Sequence, residues 1–531
     1  MPHGEETALG ALVDAADGHA AALVHDGRTI TYGEISEASR RVAGGLARLG
    51  IARGDRVAIW LPNTPDWLVA FLALARLGAV AVSVNTRFRS AEVEDIVGRS
   101  GCRALILWPG FRNIDFAGIL AGVAPAALAL LDHVVTVGDA PRAPLVAGAQ
   151  TTAFADLLKA EPLEADEGGP DHPCLIFTTS GTTSKPKFVL HRQGALAAHA
   201  RHAATGLGYR EAGTVLLQLL PFCGTFGLTQ ALAGFAAGRP AVLQTVFDAQ
   251  EAVRLIAAHG VTQFNASDEM IARLVAAAED ARAFQTVRFC GFARFSGEPG
   301  IVEAADAKGL AMVGLFGMSE THALFAVQPR DDPERRTLAG GVPVVPGARV
   351  RAVDPETGET LADGETGMLE ILSPTRMVGY FGNAEATREA IAADGYFRTG
   401  DLGYTTGDGG FVFVGRGGDA LRLGGFLVSP AEIEAHLETH PAVKACAVVA
   451  GSGALAGKAV AFVETAQAPA DEEALRAFCA KRLARFKVPA RLFAVDELPR
   501  VHSANGAKIL RNVLRDWAAE RTRTTPEEDR P

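Results

Sequence analysis

Several protein classes are excluded by what this chain lacks. Its six cysteines, at positions 102, 174, 223, 290, 446 and 479, are widely spaced and form no C-x-x-C pair, so neither a disulfide framework nor a zinc knuckle is indicated. Positive charge is outweighed: 51 Lys and Arg face 61 Asp and Glu, a net charge of -10. That balance repels a nucleic-acid backbone, and no local basic stripe offsets it. Long apolar runs are also missing. The longest, Trp67 to Val84, is interrupted by Arg76 and Gly78 and reads as a buried helix turning into a strand, not as a bilayer span. The opening MPHGEETALG is acidic and leads into no apolar core, unlike a secretory signal. The expectation is a cytoplasmic protein with no nucleic-acid partner and no integral membrane association.

What is present fits an α/β protein. The 531 residues are 48% hydrophobic and 21% charged, ordinary globular usage that argues against disorder or fibrous repeats. The 58 glycines suit a fold with many tight turns. Thr31-Tyr-Gly-Glu34 is a capping box that predicts a helix with Ile35, Val42, Leu46 and Leu49 on one face, ended by Gly50. The strand pattern of Arg56 to Leu61 begins an alternation of helices and strands that continues past residue 350. From about 351 to 416, short strands punctuated by Asp354-Pro355, Thr357-Gly358, Asp363-Gly364 and Gly407 to Gly410 predict a small β subdomain. Beyond Gly415-Arg416-Gly417-Gly418 the pattern becomes α+β, with a second capping box at Ser429 to Glu432, which places a domain boundary near Gly418. The tail from Glu520 to Pro531 is charged and Pro-ended and is expected to fray.

The sharpest local feature is FTTSGTTSKPKFVLH, Phe177 to His191, where an apolar run ends in hydroxyls, a glycine and two lysines. Such a strand-ending loop can wrap an oligophosphate with hydroxyls, inward N–H groups and ammonium charge; a solvated polar loop is the alternative. It is not a Walker loop, because Pro186 stands where that motif needs Gly and no Ser or Thr follows the Lys. No G-x-S-x-G elbow surrounds Ser180, Ser296 or Ser319, so an α/β serine hydrolase is unsupported.

TTSGTTSKPK resembles the phosphate-binding loop of the adenylate-forming superfamily, which includes acyl-CoA synthetases, peptide-synthetase adenylation domains and luciferases. Five further motifs follow in family order: FGMSE (316 to 320), YFRTGD (396 to 401), GRGGD (415 to 419), GGFLVSPAEIE (424 to 434) and NGAKILR (505 to 511). The likeness extends to WLPNTPDWLVAFLALARLGAVAVSVNTRF near the N-terminus and so spans almost the whole chain. It implies a large N-terminal domain of two α/β subdomains plus a β subdomain, residues 1–417, and a small mobile α+β C-terminal domain, residues 418–531.

The resemblance also assigns roles. Thr179, Ser180, Gly181, Thr182, Thr183 and Lys187 would cradle the ATP phosphates. Glu320 would hold Mg²⁺ and Ser319 would donate to the α-phosphate, with Phe316 and Gly317 beside the adenine. Asp401 would accept from the ribose hydroxyls, and Arg416 would supply fixed charge near ribose and phosphate. Lys508 would be the adenylation lysine, bridging the substrate carboxylate and the α-phosphate. Gly424 and Gly425 would line the pantetheine tunnel of coenzyme A, and Gly418 would be the hinge. The implied partners are a small-molecule carboxylic acid, ATP and CoA, with a homodimer allowed. Delivery to a carrier-protein pantetheine is the near alternative, and a nucleotide-binding homologue without catalysis a more distant one, opposed by Glu320 and Lys508.

Some positions depart from the family pattern. Ser184 and Phe188 stand where the loop usually carries Gly, and Gly418 replaces the usual Asp or Lys of the hinge. In LPFCGTFGL, 220 to 228, which resembles the substrate segment with Phe222 as a lining residue, Gly224 occupies a place where an aromatic or His is common and would enlarge the acyl channel. Phe292 would narrow it elsewhere. No Asp lies between Leu217 and Thr229 to pair with an α-ammonium group, which disfavours amino acids. The expected substrate is an acid of intermediate bulk, aromatic or alicyclic. His436 and His440, four apart without an H-E-x-x-H arrangement, are expected to be solvated histidines and not zinc ligands. Cys223 is expected to pack and not to act as a nucleophile.

Overall fold

The computed structural model describes residues 7–112, 114–139, 143–178, 186–280, 282–294, 300–417, 421–423, 426–428, 430–452, 455–465, 471–481, 483, 485–503 and 506–523. Thr179 to Ser184, Gly418, Gly424, Gly425 and Ser429 therefore lie outside the described residues, as does the side chain of Lys508.

Two large sheets make up the N-terminal region. One has eight strands, and its inner strands, Val80–Ser83, Arg56–Trp60, Cys102–Leu107 and His133–Thr136, run parallel. Phe188–Arg192 and then Gly379–Tyr380 add antiparallel strands at one edge. The other sheet has thirteen strands and changes character at Met312–Met318. On one side of that strand Phe289–Ala293, Gln263–Ser267, Leu216–Gln218 and Ala241–Leu243 are parallel. On the other side His322–Val327, Gly340–Pro343, Phe411–Arg416, Phe397–Thr405, Gly367–Leu372 and Arg349–Val353 are antiparallel. The predicted β portion is thus hydrogen-bonded onto an α/β sheet as its antiparallel continuation, with the FGMSE segment at the change of direction.

Helices fill the space between these sheets. Pro65–Leu77 starts after Thr64 in extended backbone with Pro at its first turn, and ends at Gly78 with φ +74°, the left-handed stop that glycine takes without a Cβ penalty. It is apolar almost all round, as a helix enclosed on every side must be. Together with Gln193–Gly206 and Thr225–Ala237 it joins residues of both sheets, among them Val57, Ile59, Leu175, Leu216, Phe289 and Leu315, in one core. The predicted capping box closes on Tyr32–Arg48: Thr31 Oγ1 accepts from Glu34 N–H and the Glu34 carboxylate accepts from Thr31 N–H. Arg76, read from sequence as an interruption, is fully buried and bridges Asp14 (2.6 Å) and Asp166 (3.0 Å).

Among the described residues, no strand after Arg416 pairs with one before it. Val443–Ala450, Ala459–Thr465 and Arg491–Val495 form their own sheet, packed with the helices Pro430–Glu438 and Glu472–Ala480. Arg511 holds both Glu434 oxygens, at 2.5 and 2.8 Å, and so ties the last helix to this unit. His436 and His440 are not simply solvated: His436 stacks on Phe478 and His440 meets it edge to face, at 4.6 and 4.9 Å between ring centroids. Among the described residues there is no group of three or more His, Cys, Asp or Glu placed to hold a metal ion, and no helix is long and apolar enough to cross a membrane. All six cysteines are free.

Candidate active site

A cleft of about 1910 Å³ opens where the parallel and antiparallel halves of the large sheet meet, the place where strands diverge and leave room for a ligand. Its walls differ in chemistry. One is apolar, built from Leu220, Pro221, Cys223, Gly224, Phe226, Ala293, Leu315 and Leu324. The other carries Lys187, Ser319, Glu320, Tyr380 and Arg416.

Strand pairing assembles the polar wall. Tyr380 pairs with Val189, the second residue after Lys187, and Lys187 Nζ lies 4.6 Å from the centre of the Tyr380 ring, over its face, an attractive cation–π placement. The Tyr380 hydroxyl donates to Glu320 Oε1 at 3.0 Å. Glu320 is only 8% exposed; burial raises its carboxyl above the ordinary range, against the lowering effects of Tyr380, Arg416 and Lys187. A buried carboxylate close to Lys187 and Arg416 has the donor chemistry of a Mg²⁺ ligand, an ion usually held by one or two carboxylates together with phosphate oxygens and water.

Register likewise sets Asp401 opposite Arg416 on neighbouring antiparallel strands. Their charges approach to 2.6 Å, yet Oδ1 of Asp401 has no well-aligned hydrogen-bond donor among the described residues, so the contact is an ion pair with an acceptor left over. Burial, the largest influence, lifts the Asp401 carboxyl to about 7, while Arg416 opposes the rise. A buried carboxylate whose acceptor capacity is not filled by its one cationic neighbour suits a ligand bringing hydroxyls. Phe316 lines the cleft and is backed by Phe411 and Phe413, at 5.0 and 5.7 Å. Gly317 is required sterically, because a Cβ there would come within 2.5 Å of the Ala323 Cα.

The structure thus gathers Lys187, Phe316, Gly317, Ser319, Glu320, Gly224 and Arg416 along one cleft, with Asp401 beside Arg416. Val501 and Ile509, from the hairpin of Arg500–Ser503 and Gly506–Ile509, border the same cleft; the backbone of Lys508 pairs with Val501 in that hairpin. Two predicted substrate residues are placed elsewhere. Phe222 is buried against Trp67, 5.6 Å between rings, and Phe292 is buried in the cluster with Phe264, Ile271 and Ile301. In both segments the neighbouring residue, Cys223 or Ala293, lines the cleft instead. Phe292 therefore does not line the cleft. Burial pushes the Cys223 thiol up to about 12, which leaves it protonated and poorly nucleophilic. Sequence reasoning missed Tyr380, which reaches the site through an edge strand pairing with Val189 that the sequence does not reveal.

Fold and site together define a nucleotide-dependent, acid-activating architecture. The chain belongs to the AMP-binding enzyme family, whose model matches residues 13–381, with the AMP-binding enzyme C-terminal domain matching residues 432–505. It is 34% identical to a 2-succinylbenzoate–CoA ligase of Geobacillus kaustophilus, over 93% of this chain and 94% of that protein. Among solved structures it is similar to the anthranilate CoA ligase AuaEII in complex with anthranoyl-AMP (TM-score 0.82, 26% identity, 98% of each chain covered). It is also similar to the O-succinylbenzoate coenzyme A synthetase MenE of Bacillus subtilis in complex with ATP and magnesium ion (TM-score 0.78, 26% identity, 96% of this chain and 99% of that one).

Proposed function

We propose that this protein is an AMP-forming acid–CoA ligase acting on a small to medium hydrophobic carboxylic acid, aromatic, alicyclic or medium-chain. The observation that carries this reading is the two-sided cleft, which sets an apolar wall with no charged side chain between Leu220 and Gly227 against Lys187, Glu320 and Arg416.

A carboxylate resists nucleophiles because of its charge and its poor leaving group. Attack of its oxygen on the α-phosphorus of ATP, with loss of pyrophosphate, gives an acyl-adenylate; the CoA sulfur then takes the acyl carbon and AMP departs. The first step brings anions together, so fixed cations and donors lower its barrier. Lys187 and Arg416 supply positive charge along the cleft, Ser319 a hydroxyl donor, and Asp401 the acceptor for the ribose. Glu320 would hold Mg²⁺, which when bound screens phosphate charge. Lys508 would bridge the carboxylate and the α-phosphate, and Thr179 to Thr183 would cradle the outer phosphates. The apolar wall orients the acid and keeps water from the adenylate.

Residues 1–417 would form the adenylation domain and 418–531 a mobile unit pivoting at Gly418, with Gly424 and Gly425 flanking the thiol arm. The self-contained strand pairing after Arg416 supports that division. Incubating a panel of neutral carboxylic acids with ATP, Mg²⁺ and CoA should release AMP and form a thioester with a hydrophobic member. AMP release without CoA transfer would instead indicate a carrier-protein acceptor, and no acid-dependent AMP release with any member would reject acid activation.

A further inference from the structure

Three histidines with no role so far grip the turn that presents Ser319 and Glu320. His191 lies on Phe188–Arg192, His199 on the helix Gln193–Gly206, and His322 opens the strand His322–Val327; all three are fully buried. Their rings form a stack with His322 in the middle, 4.2 Å from His191 and 4.7 Å from His199 between centroids, tilted by 32° and 35°. The outer two rings end on the turn itself. His191 Nε2–H donates to the Ser319 carbonyl and His199 Nε2–H to the Ala323 carbonyl, each at 2.8 Å. Carbonyls only accept, so these partners assign both rings as Nε2–H tautomers. The remaining His199 nitrogen lies 3.4 Å from the Thr375 hydroxyl, and Ala323 N–H donates to Thr225 Oγ1 on the substrate side of the cleft.

His322 itself sits in left-handed backbone, φ +67°, as does Leu324, φ +58°, a conformation disfavoured for residues with a Cβ. Neither of its ring nitrogens meets strict hydrogen-bond geometry with a partner among the described residues; the Thr375 backbone lies near the ring as a weak polar neighbour, and the contacts with His191 and His199 are made by the ring faces. Plain packing leaves this arrangement unexplained: an apolar side chain would fill the middle position without burying two polar nitrogens, and the flanking imidazoles spend their donors on the two ends of one five-residue turn.

We propose that His191, His322 and His199 form a positioning stack for the adenylating half-reaction. The outer imidazoles fix the Ser319 and Ala323 carbonyls, and the middle ring wedges them apart, so that Ser319 and Glu320 keep their orientation toward the nucleotide phosphates. The inference rests on the nucleotide role proposed above for Glu320.

Ring-retaining variants test it. His191→Phe keeps the stack but cannot donate to Ser319; acid-dependent ATP–pyrophosphate exchange should fall about tenfold, with a raised Mg²⁺ requirement, as expected for a displaced electrostatic group. Acyl transfer to CoA from a supplied acyl-adenylate should stay within about twofold, since Glu320 serves the first step only. At the middle position His322→Phe should recover most of the exchange that His322→Ala loses, because the ring faces carry the contacts with both neighbours. Parallel loss of both half-reactions, wild-type exchange in His191→Phe, or a Phe no better than Ala at 322 would overturn the proposal. Calorimetry of Mg·ATP binding separates the two readings. If wild type binds Mg·ATP but exchanges with no acid, acid activation fails, while weaker binding by His191→Phe still supports the stack and unchanged binding rejects it.

Discussion

Asp401 shows how one buried group couples the site to stability. The folded protein keeps a proton on it up to about pH 7, whereas its ordinary value is 3.8. Between those values the native state binds more protons than the unfolded chain, so this contribution is full below pH 3.8 and is lost as pH rises to about 7. Asp401→Asn carries no charge at any pH. Its melting temperature relative to wild type should therefore rise from pH 4 to about 7 and then level off; a constant difference across that range would remove the linkage. Above about pH 7, where the Asp401 carboxyl is ionised, the same variant should bind ATP about tenfold more weakly, because an ionised acceptor for ribose hydroxyls is replaced by a neutral one. Which residue types could do such chemistry was legible in the sequence: Glu320, Asp401 and Arg416 stand in recognisable motifs. Tyr380 was not legible, because a tyrosine becomes a partner of Glu320 only through the short edge strand that pairs it with Val189.

At the scale of elements, side-chain direction decides which residues face the cleft. Along Phe289–Ala293 alternate residues face opposite ways, so Ala293 reaches the cleft and Phe292 enters the core. Phe292→Ala should cost about 3–5 kcal/mol of stability and leave the preferred acid unchanged, as chemical denaturation and the substrate panel would show; a shift toward larger acids would contradict the placement. Gly224 offers the converse case. A Cβ there would meet only the Pro221 carbonyl, at 3.6 Å, an ordinary contact, whereas at Gly227 it would lie 2.3 Å from the same oxygen. Gly224→Leu should therefore fold and shift kcat/KM toward smaller acids, with unchanged size selectivity counting against an acyl channel at this wall. Elements with strong local signals, such as the capped helix Tyr32–Arg48, were legible because the cap and the periodicity agree. The faces of short, wholly apolar strands were not, since a one-residue slip exchanges core and cleft.

For the whole molecule, the question is how one cleft serves two half-reactions. The hairpin carrying Lys508 belongs to a region whose described strands pair only among themselves, yet Val501 and Ile509 of that hairpin border the cleft built by the N-terminal sheets. Lys508→Ala should reduce adenylation about a hundredfold or more, the scale of losing a preorganised charge at the transition state, while transfer from a supplied acyl-adenylate persists. Equal loss of both steps in single-turnover assays would refute that division of labour. The sequence by itself determined the family, the order of the motifs, the α/β class and the chemistry available to each motif, because these depend on residue types at fixed local spacing. Only the tertiary structure decided that the β region continues the large sheet, that Phe222 and Phe292 turn away from the cleft, that Tyr380 joins Lys187 to Glu320, and that three imidazoles stack behind the turn of Ser319 and Glu320. Those outcomes depend on the register between strands far apart in the chain, where pairing energy is spread over many residues and leaves no local mark.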